Sequence, residues 1–139
     1  MSDDFFAWLL DQASALRQRR WSSLDYDNLA EELEGMALRH KHELKQRFRM
    51  LFGHLLKWVY QPSRRSNSWK ASIREARIEI RDLLEDMPSL KSSVPELMAR
   101  AYEDGRELVA DETGLELERF PANNPWTFEQ LLNPAFLPD

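Results

Sequence analysis

Apolar side chains recur at steps of three and four residues along most of the chain, which is the spacing of one helix face. The first such segment predicts a helix over about residues 4–19. Asp3 or Asp4 can cap it, because a short carboxylate accepts hydrogen bonds from the free N–H groups of a first turn. The apolar face predicted for this helix consists of Phe5, Phe6, Leu9, Leu10, Ala13 and Leu16.

The second apolar pattern is the longest. It begins after Asp25, a good capping residue, and continues to Gln61, where Pro62 cannot extend a helix. Some thirty-five residues is long for a globular helix, and an internal glycine weakens a helix by roughly 1 kcal/mol relative to alanine. The sequence therefore leaves three forms open: one continuous helix, a helix kinked near Gly35, or two helices that divide between Gly35 and His42.

The third pattern predicts the cleanest amphipathic helix. It starts at a cap formed by Ser66, Asn67 or Ser68 and ends before Pro88. At about 100° per residue its apolar positions fall in one narrow arc, and basic and acidic ridges flank that arc on opposite sides. The basic ridge consists of Lys70, Arg74, Arg77 and Arg81.

Two further helices complete the predicted set. The fourth starts near Pro95 and ends before Gly114, which suits a left-handed C-cap. A short last helix follows Thr127, whose pattern with Gln130 is that of a capping box. The apolar tail at residues 136–138 must be docked, because it would otherwise be an exposed patch.

These elements predict an all-α fold. We expect a helical bundle of about four main helices plus a short C-terminal helix, with a long helix hairpin around residues 61–68. No alternating apolar pattern and no Asn-Gly or Asp-Gly hairpin signal competes with this interpretation. A length of 139 residues is typical of one domain, so we expect residues 1–139 to form a single domain.

The amino-acid composition excludes several kinds of functional site. The chain has no cysteine, which excludes disulfides, thiol nucleophiles and zinc–thiolate sites, and its four glycines fit no phosphate-binding or dinucleotide-binding loop. The N-terminus is acidic and lacks the pattern of a signal peptide, and no apolar stretch is long enough to span a bilayer. We therefore expect a cytoplasmic protein with no membrane contact.

The net charge of −5 conceals an uneven layout. Residues 39–81 carry 12 basic and 3 acidic side chains, a net of +9, whereas residues 82–139 carry 4 basic and 13 acidic side chains, a net of −9. The basic block includes a segment at residues 54–74 in which arginines and lysines alternate with aromatic residues and precede a helix N-terminus. Such a corner can receive an anionic group. The candidate anion-binding residues are His54, Lys57, Trp58, Arg64, Arg65, Ser68, Trp69 and Arg74.

A structural interpretation of the same corner is also open. The tryptophans could fill the end of a bundle, and the arginines could bind unpaired carbonyls or acidic residues of the fourth helix. The basic ridge of the third helix could then lie against Glu103, Glu107 and Asp111. Exposed pairs of that kind contribute about 0–1 kcal/mol each, so they would fix orientation more than stability.

Catalysis has weaker support than binding. The spacing around His40, His42 and His54 matches neither a zinc-protease nor a di-iron pattern, so neither a metal nor another cofactor is predicted. His54 is the one candidate for acid–base chemistry. We expect a binding protein that takes a protein partner or a second copy of itself, and a nucleic-acid partner is not favoured because the net charge is negative. The alternative is an enzyme that acts on a phosphorylated or nucleic-acid substrate.

Several motifs resemble one known family over almost the whole chain. They are D-F-F-A-W-L-L-D-Q-A-S-A-L-R (residues 4–17), L-D-Y-D-N-L-A-E-E-L-E (24–34), H-L-L-K-W-V-Y-Q-P-S-R-R-S-N-S-W (54–69), P-S-L (88–90), E-T-G (112–114) and W-T-F-E-Q-L-L (126–132). In these motifs the chain resembles the bacterial family called domain of unknown function 29. The resemblance implies an all-helical protein, and it brings no activity, substrate or catalytic residue with it.

Overall fold

A computed structural model of the chain describes residues 4–139, and all regular structure in that range is helical. The α-helices are α1 (Phe5–Arg17), α2 (Tyr26–Tyr60), α3 (Asn67–Asp86), α4 (Val94–Thr113) and α5 (Phe128–Leu132). The all-α prediction is confirmed. No helix within these residues has a stretch that is long and apolar enough to cross a membrane.

The helix ends follow the predicted capping chemistry. The carboxylate of Asp4 accepts a hydrogen bond from Ala7 N, while the alternative cap Asp3 lies outside the described residues. Ser66 Oγ accepts from Trp69 N at the start of α3, and Thr127 forms the predicted capping box with Gln130 at the start of α5. Gly114 ends α4 in the left-handed region at a φ of 74°. Short polar side chains and one glycine therefore set most of the boundaries.

Helix α2 runs without a break from Tyr26 to Tyr60, so of the three forms left open the continuous helix is the one observed. Asp25 caps it, because its carboxylate accepts hydrogen bonds from the backbone and side-chain amides of Asn28. Long-range packing in the second half of α2 offsets the cost of its two glycines, since Leu44, Phe48 and Leu51 are fully buried there.

The described chain divides into two compact units, a first unit that ends at residue 40 and a second unit of residues 41–139. In the first unit, α1 buries Trp8, Gln12 and Ala15. The Gln12 amide explains why a polar residue is inside: its oxygen accepts from Asp25 N at 2.7 Å, and its nitrogen donates to Ser23 O at 3.1 Å. The apolar face predicted for α1 is not its buried face, because Phe5, Phe6, Leu9, Leu10 and Leu16 are all exposed.

The second unit is a helical bundle built from the second half of α2 together with α3, α4 and α5. Arg47 Nε lies 3.0 Å from Glu79 Oε2, two residues about equally far from the turn at residues 61–66, so α2 and α3 form the predicted antiparallel hairpin. Lys45 Nζ lies 2.9 Å from Asp104 Oδ2, and Lys57 pairs with Glu112 further along both helices. From the first ion pair to the second, the residue number increases in both helices, so α4 runs parallel to α2.

Helices α2 and α4 approach each other closely at Gly105. A Cβ atom there would lie 3.3 Å from Arg49 O and 3.4 Å from Phe52 Cβ, so the position has little room for a side chain. Aromatic rings pack around this crossing. The rings of Phe52 and Tyr102 meet edge to face at a centroid distance of 5.3 Å, and the rings of Phe52 and Trp126 stack at 6.4 Å. The fixed crossing holds α4 and the loop after it in place beside the hairpin.

Candidate functional site

The predicted basic corner lies at the turn between α2 and α3, where Pro62–Arg64 forms one 3-10 turn. Arg65, at the end of this turn, has its hydrogen bonds used within the fold. Its Nε donates to Trp58 O at 2.7 Å, its Nη2 donates to Asp139 O at 2.9 Å, and its guanidinium lies 4.8 Å from the centre of the Trp58 ring. Arg65 therefore ties the helix hairpin to the C-terminal segment.

Two other candidates of the corner also make contacts within the fold. Lys57 forms an ion pair with Glu112 of α4. The Nδ1 atom of His54 lies 2.9 Å from Met50 O and donates to that carbonyl of its own helix, and His54 lines neither of the two large surface cavities of the second unit.

The remaining predicted residues divide into two groups. Arg64 and Ser68 are exposed, and their side chains make no hydrogen bond or ion pair within the described residues, while Trp69 is half-buried at the start of α3. Arg74, by contrast, lies in a groove together with Lys70, whose Nζ is 5.8 Å from the centre of the Trp58 ring. The structure thus separates the corner from a second basic surface further along α3.

That second surface, which we call the basic groove, has a volume of about 700 Å³. Its cations come from one stripe of α3, since residues four, seven and eleven positions apart lie on one side of a helix. The opposite wall is apolar and comes from α5 and the segment after it. The basic groove is lined by Lys70, Ala71, Ile73, Arg74, Arg77, Ile78, Arg81, Leu132, Pro134 and Leu137.

Arg77 joins the two walls of the basic groove. Its side chain is buried, its Nε donates to Leu131 O at 2.6 Å, and its Nη2 donates to Phe136 O at 2.8 Å. Burial lowers the pKa of the Arg77 guanidinium, yet arginine remains protonated at neutral pH. Its described partners are carbonyl oxygens, which satisfy N–H groups but carry no full negative charge. The positive charge of Arg77 therefore adds to the potential of the groove.

The acids of α4 do not neutralise this surface. Among the ion pairs of residues 4–139, Asp104 and Glu112 of α4 pair with lysines of α2, and no pair joins α4 to the basic stripe of α3. No carboxylate is among the residues that line the basic groove. The interpretation of the basic ridge as internally paired with Glu103, Glu107 and Asp111 therefore does not describe this face of α3.

Arg77 and Arg81 were visible in the sequence as members of the basic ridge, but the candidate site did not include them. Their helical spacing with Arg74 was the available signal. The apolar wall at Leu132, Pro134 and Leu137 gave no comparable signal, because it joins α3 only through contacts more than fifty residues apart in the chain. Within the described residues, no three His, Asp or Glu side chains come together as a set of metal ligands.

Comparison with known proteins gives one match. No curated protein and no solved structure matches the chain. A family model matches residues 2–137, nearly the full length, and its span includes α1 through α5 together with the basic groove. The chain therefore belongs to the family described as domain of unknown function DUF29.

Proposed function

We propose that this protein is a binding protein whose basic groove receives an acidic segment of a partner protein. The observation that carries the proposal is that Lys70, Arg74, Arg77 and Arg81 line one groove with no carboxylate among the lining residues. Charge-assisted hydrogen bonds from guanidinium groups to carboxylates are among the stronger polar contacts in proteins, and a planar fork can hold a carboxylate with two bonds. Two residues of the predicted basic segment at 54–74, Lys70 and Arg74, contribute to this site.

The second wall favours a protein segment over a nucleic acid. Leu132, Pro134 and Leu137 present apolar surface to the groove, and no aromatic ring lines it on which a base could stack. The chain also has a net charge of −5, which opposes non-specific attraction to phosphate backbones. A segment in which acidic and apolar side chains alternate would place carboxylates on the arginines and apolar groups on the leucines.

The cations are spaced to take more than one carboxylate. Lys70 and Arg81 are eleven residues apart, which is about 16 Å along a helix at 1.5 Å per residue. Acidic side chains on the same face of an extended peptide recur about every 6.6 Å. Two or three acidic residues of one strand-like segment therefore match the length of the basic groove.

The test uses a labelled eight-residue peptide of alternating glutamate and leucine, with binding followed by fluorescence anisotropy. We expect the double substitution Arg74→Gln and Arg81→Gln to weaken binding by about tenfold or more, because it removes two charge-assisted contacts. The matched control is Arg64→Gln with Arg119→Gln, which removes the same charge from exposed residues outside the basic groove. We expect this control to bind as the unmodified protein does.

Three results would contradict the proposal. One is equal weakening by both double variants, which would show general charge attraction or a site at the turn. Another is equal affinity for a peptide with glutamine in place of glutamate. The third is tighter binding of a thymidine oligonucleotide than of the peptide, which would point to a nucleic-acid partner.

A further inference from the structure

A second and larger cavity, of about 1040 Å³, lies along α4 and shares no residue with the basic groove. Its floor is apolar, because Val94, Pro95, Met98 and Ala99 come from successive turns on one side of α4. Phe128 of α5 adds an aromatic ring. We call this cavity the α4 cleft. It is as large as the ligand pockets that enclose drug-sized molecules.

The far wall of the α4 cleft is held in position by α4 itself. Tyr102 Oη donates to Pro121 O at 2.5 Å, and Arg106 Nη2 donates to Phe120 O at 3.3 Å. Both bonds fix the start of the loop that carries Asn123 and Asn124 to the rim of the cleft. A cleft with a preformed wall loses little conformational entropy when a ligand enters.

The polar end of the α4 cleft carries an arginine without a carboxylate. Arg106 takes part in none of the ion pairs of residues 4–139, and its buried Nε has no hydrogen-bond partner. Lys91 adds a second positive charge at the other end, and Glu103 on the rim adds one negative charge. An anion at Arg106 would compensate a guanidinium whose charge the fold leaves unpaired.

We infer that the α4 cleft binds an elongated organic carboxylic acid, with its carboxylate on Arg106 and its apolar body along Val94, Met98 and Ala99. Two observations support this class of ligand: the floor is mainly apolar, and Arg106, which forms no ion pair within residues 4–139, stands at one end of it. The distance along the helix from residue 94 to residue 106 is about 18 Å at 1.5 Å per residue, which accommodates a chain of about ten carbons. The ligand is a small molecule and the site is separate from the basic groove, so neither proposal depends on the other.

The test is a titration of the full chain with decanoate below its micelle concentration, followed by calorimetry and by amide chemical shifts. We expect saturable binding with shifts concentrated in residues 91–106 and 122–128. The variant Ala99→Trp should abolish this binding because an indole on the exposed Ala99 would occupy the apolar floor where the alkyl chain lies. The matched control Ala37→Trp, on an exposed helical alanine outside the cleft, should bind decanoate unchanged.

A second variant tests the carboxylate position. We expect Arg106→Gln to weaken decanoate binding about tenfold more than it weakens decanol binding, because the lost bond to Phe120 O affects both ligands and the lost charge affects only the carboxylate. Unaltered decanoate affinity in Ala99→Trp would overturn the site, as would shifts outside the two named segments. Equal weakening of decanoate and decanol by Arg106→Gln would overturn the assignment of the carboxylate to Arg106.

Discussion

Burial raises the pKa of the Tyr102 hydroxyl to about 12, although the positive charge of Arg106 acts in the opposite direction. An unfolded tyrosine has a pKa of about 10, so the unfolded chain loses this proton first as the pH rises. The stabilising contribution of the neutral hydroxyl is therefore complete below pH 10 and is lost between about pH 10 and pH 12. We expect the free energy of unfolding, measured by urea titration at several pH values, to fall over that interval.

The variant Tyr102→Phe isolates this effect. It removes the ionisable group and the hydrogen bond to Pro121 O, so it should be less stable than the unmodified protein at pH 8 and should lose less stability above pH 10. Tyr26→Phe, at an exposed ring in the other unit, is the control that should keep the unmodified profile. Parallel pH curves for Tyr102→Phe and the unmodified protein would show that the Tyr102 hydroxyl is not the group responsible.

At the scale of helices, two glycines of the second unit give opposite expectations for the same substitution. A Cβ at Gly53 would meet Val109 Cγ2 at 3.7 Å, which is ordinary contact, so Gly53→Ala should stabilise the fold by about 0.5–1 kcal/mol through helix propensity. A Cβ at Gly105 would press on Arg49 O at 3.3 Å, and a backbone atom of a packed helix cannot turn aside as a side chain can. We expect Gly105→Ala to destabilise the fold by about 1 kcal/mol or more, because overpacking outweighs propensity.

Denaturant titration of the two variants side by side measures this difference, and each variant is the control for the other. If Gly105→Ala were as stable as Gly53→Ala, α2 and α4 would be able to separate without cost. The close approach at Gly105 would then not be what holds α4 in place.

The helix boundaries could be predicted because their causes are local. Ser66, Gly114 and Thr127 each act within a few residues of the helix end that they cap, so a single sequence contains the whole interaction. The buried face of α1 could not be predicted in the same way. Apolar residues lie on most sides of that helix, and Gln12 is buried through bonds to Ser23 and Asp25, which only the folded turn brings near.

The candidate site was partly predictable for the same reason. The basic stripe on α3 follows from helical spacing alone, so the sequence predicts it as a ridge. The partners of Arg65 and Arg77 include backbone oxygens of the C-terminal segment, 74 and 54 residues away respectively. Every residue offers a carbonyl, so no residue type marks which one an arginine will reach. The sequence could therefore name the cations but could not show which of them the fold already uses.

At the scale of the whole chain, the buried apolar side chains are unevenly distributed between the two units. Of the 20 such side chains in the described residues, Trp8 and Ala15 belong to the first unit and the others belong to the second. In the first unit, by contrast, large apolar side chains such as Phe6 and Leu33 are exposed by 72% and 66%. Stability that comes from burial is thus concentrated after residue 40.

Helix α2 passes through both units and makes this asymmetry measurable within one element. We expect amide hydrogen exchange to be faster for residues 29–40 than for residues 48–58, because opening the first part exposes little buried apolar surface. Trp8→Ala should speed exchange further in residues 29–40 and leave residues 48–58 unchanged, since Trp8 is the larger of the two buried apolar side chains of its unit. The matched control Trp21→Ala, at a tryptophan exposed by 54%, should change neither segment. Equal protection along the whole of α2 would show instead that the helix opens as one cooperative unit. Local differences in burial would then not determine its stability.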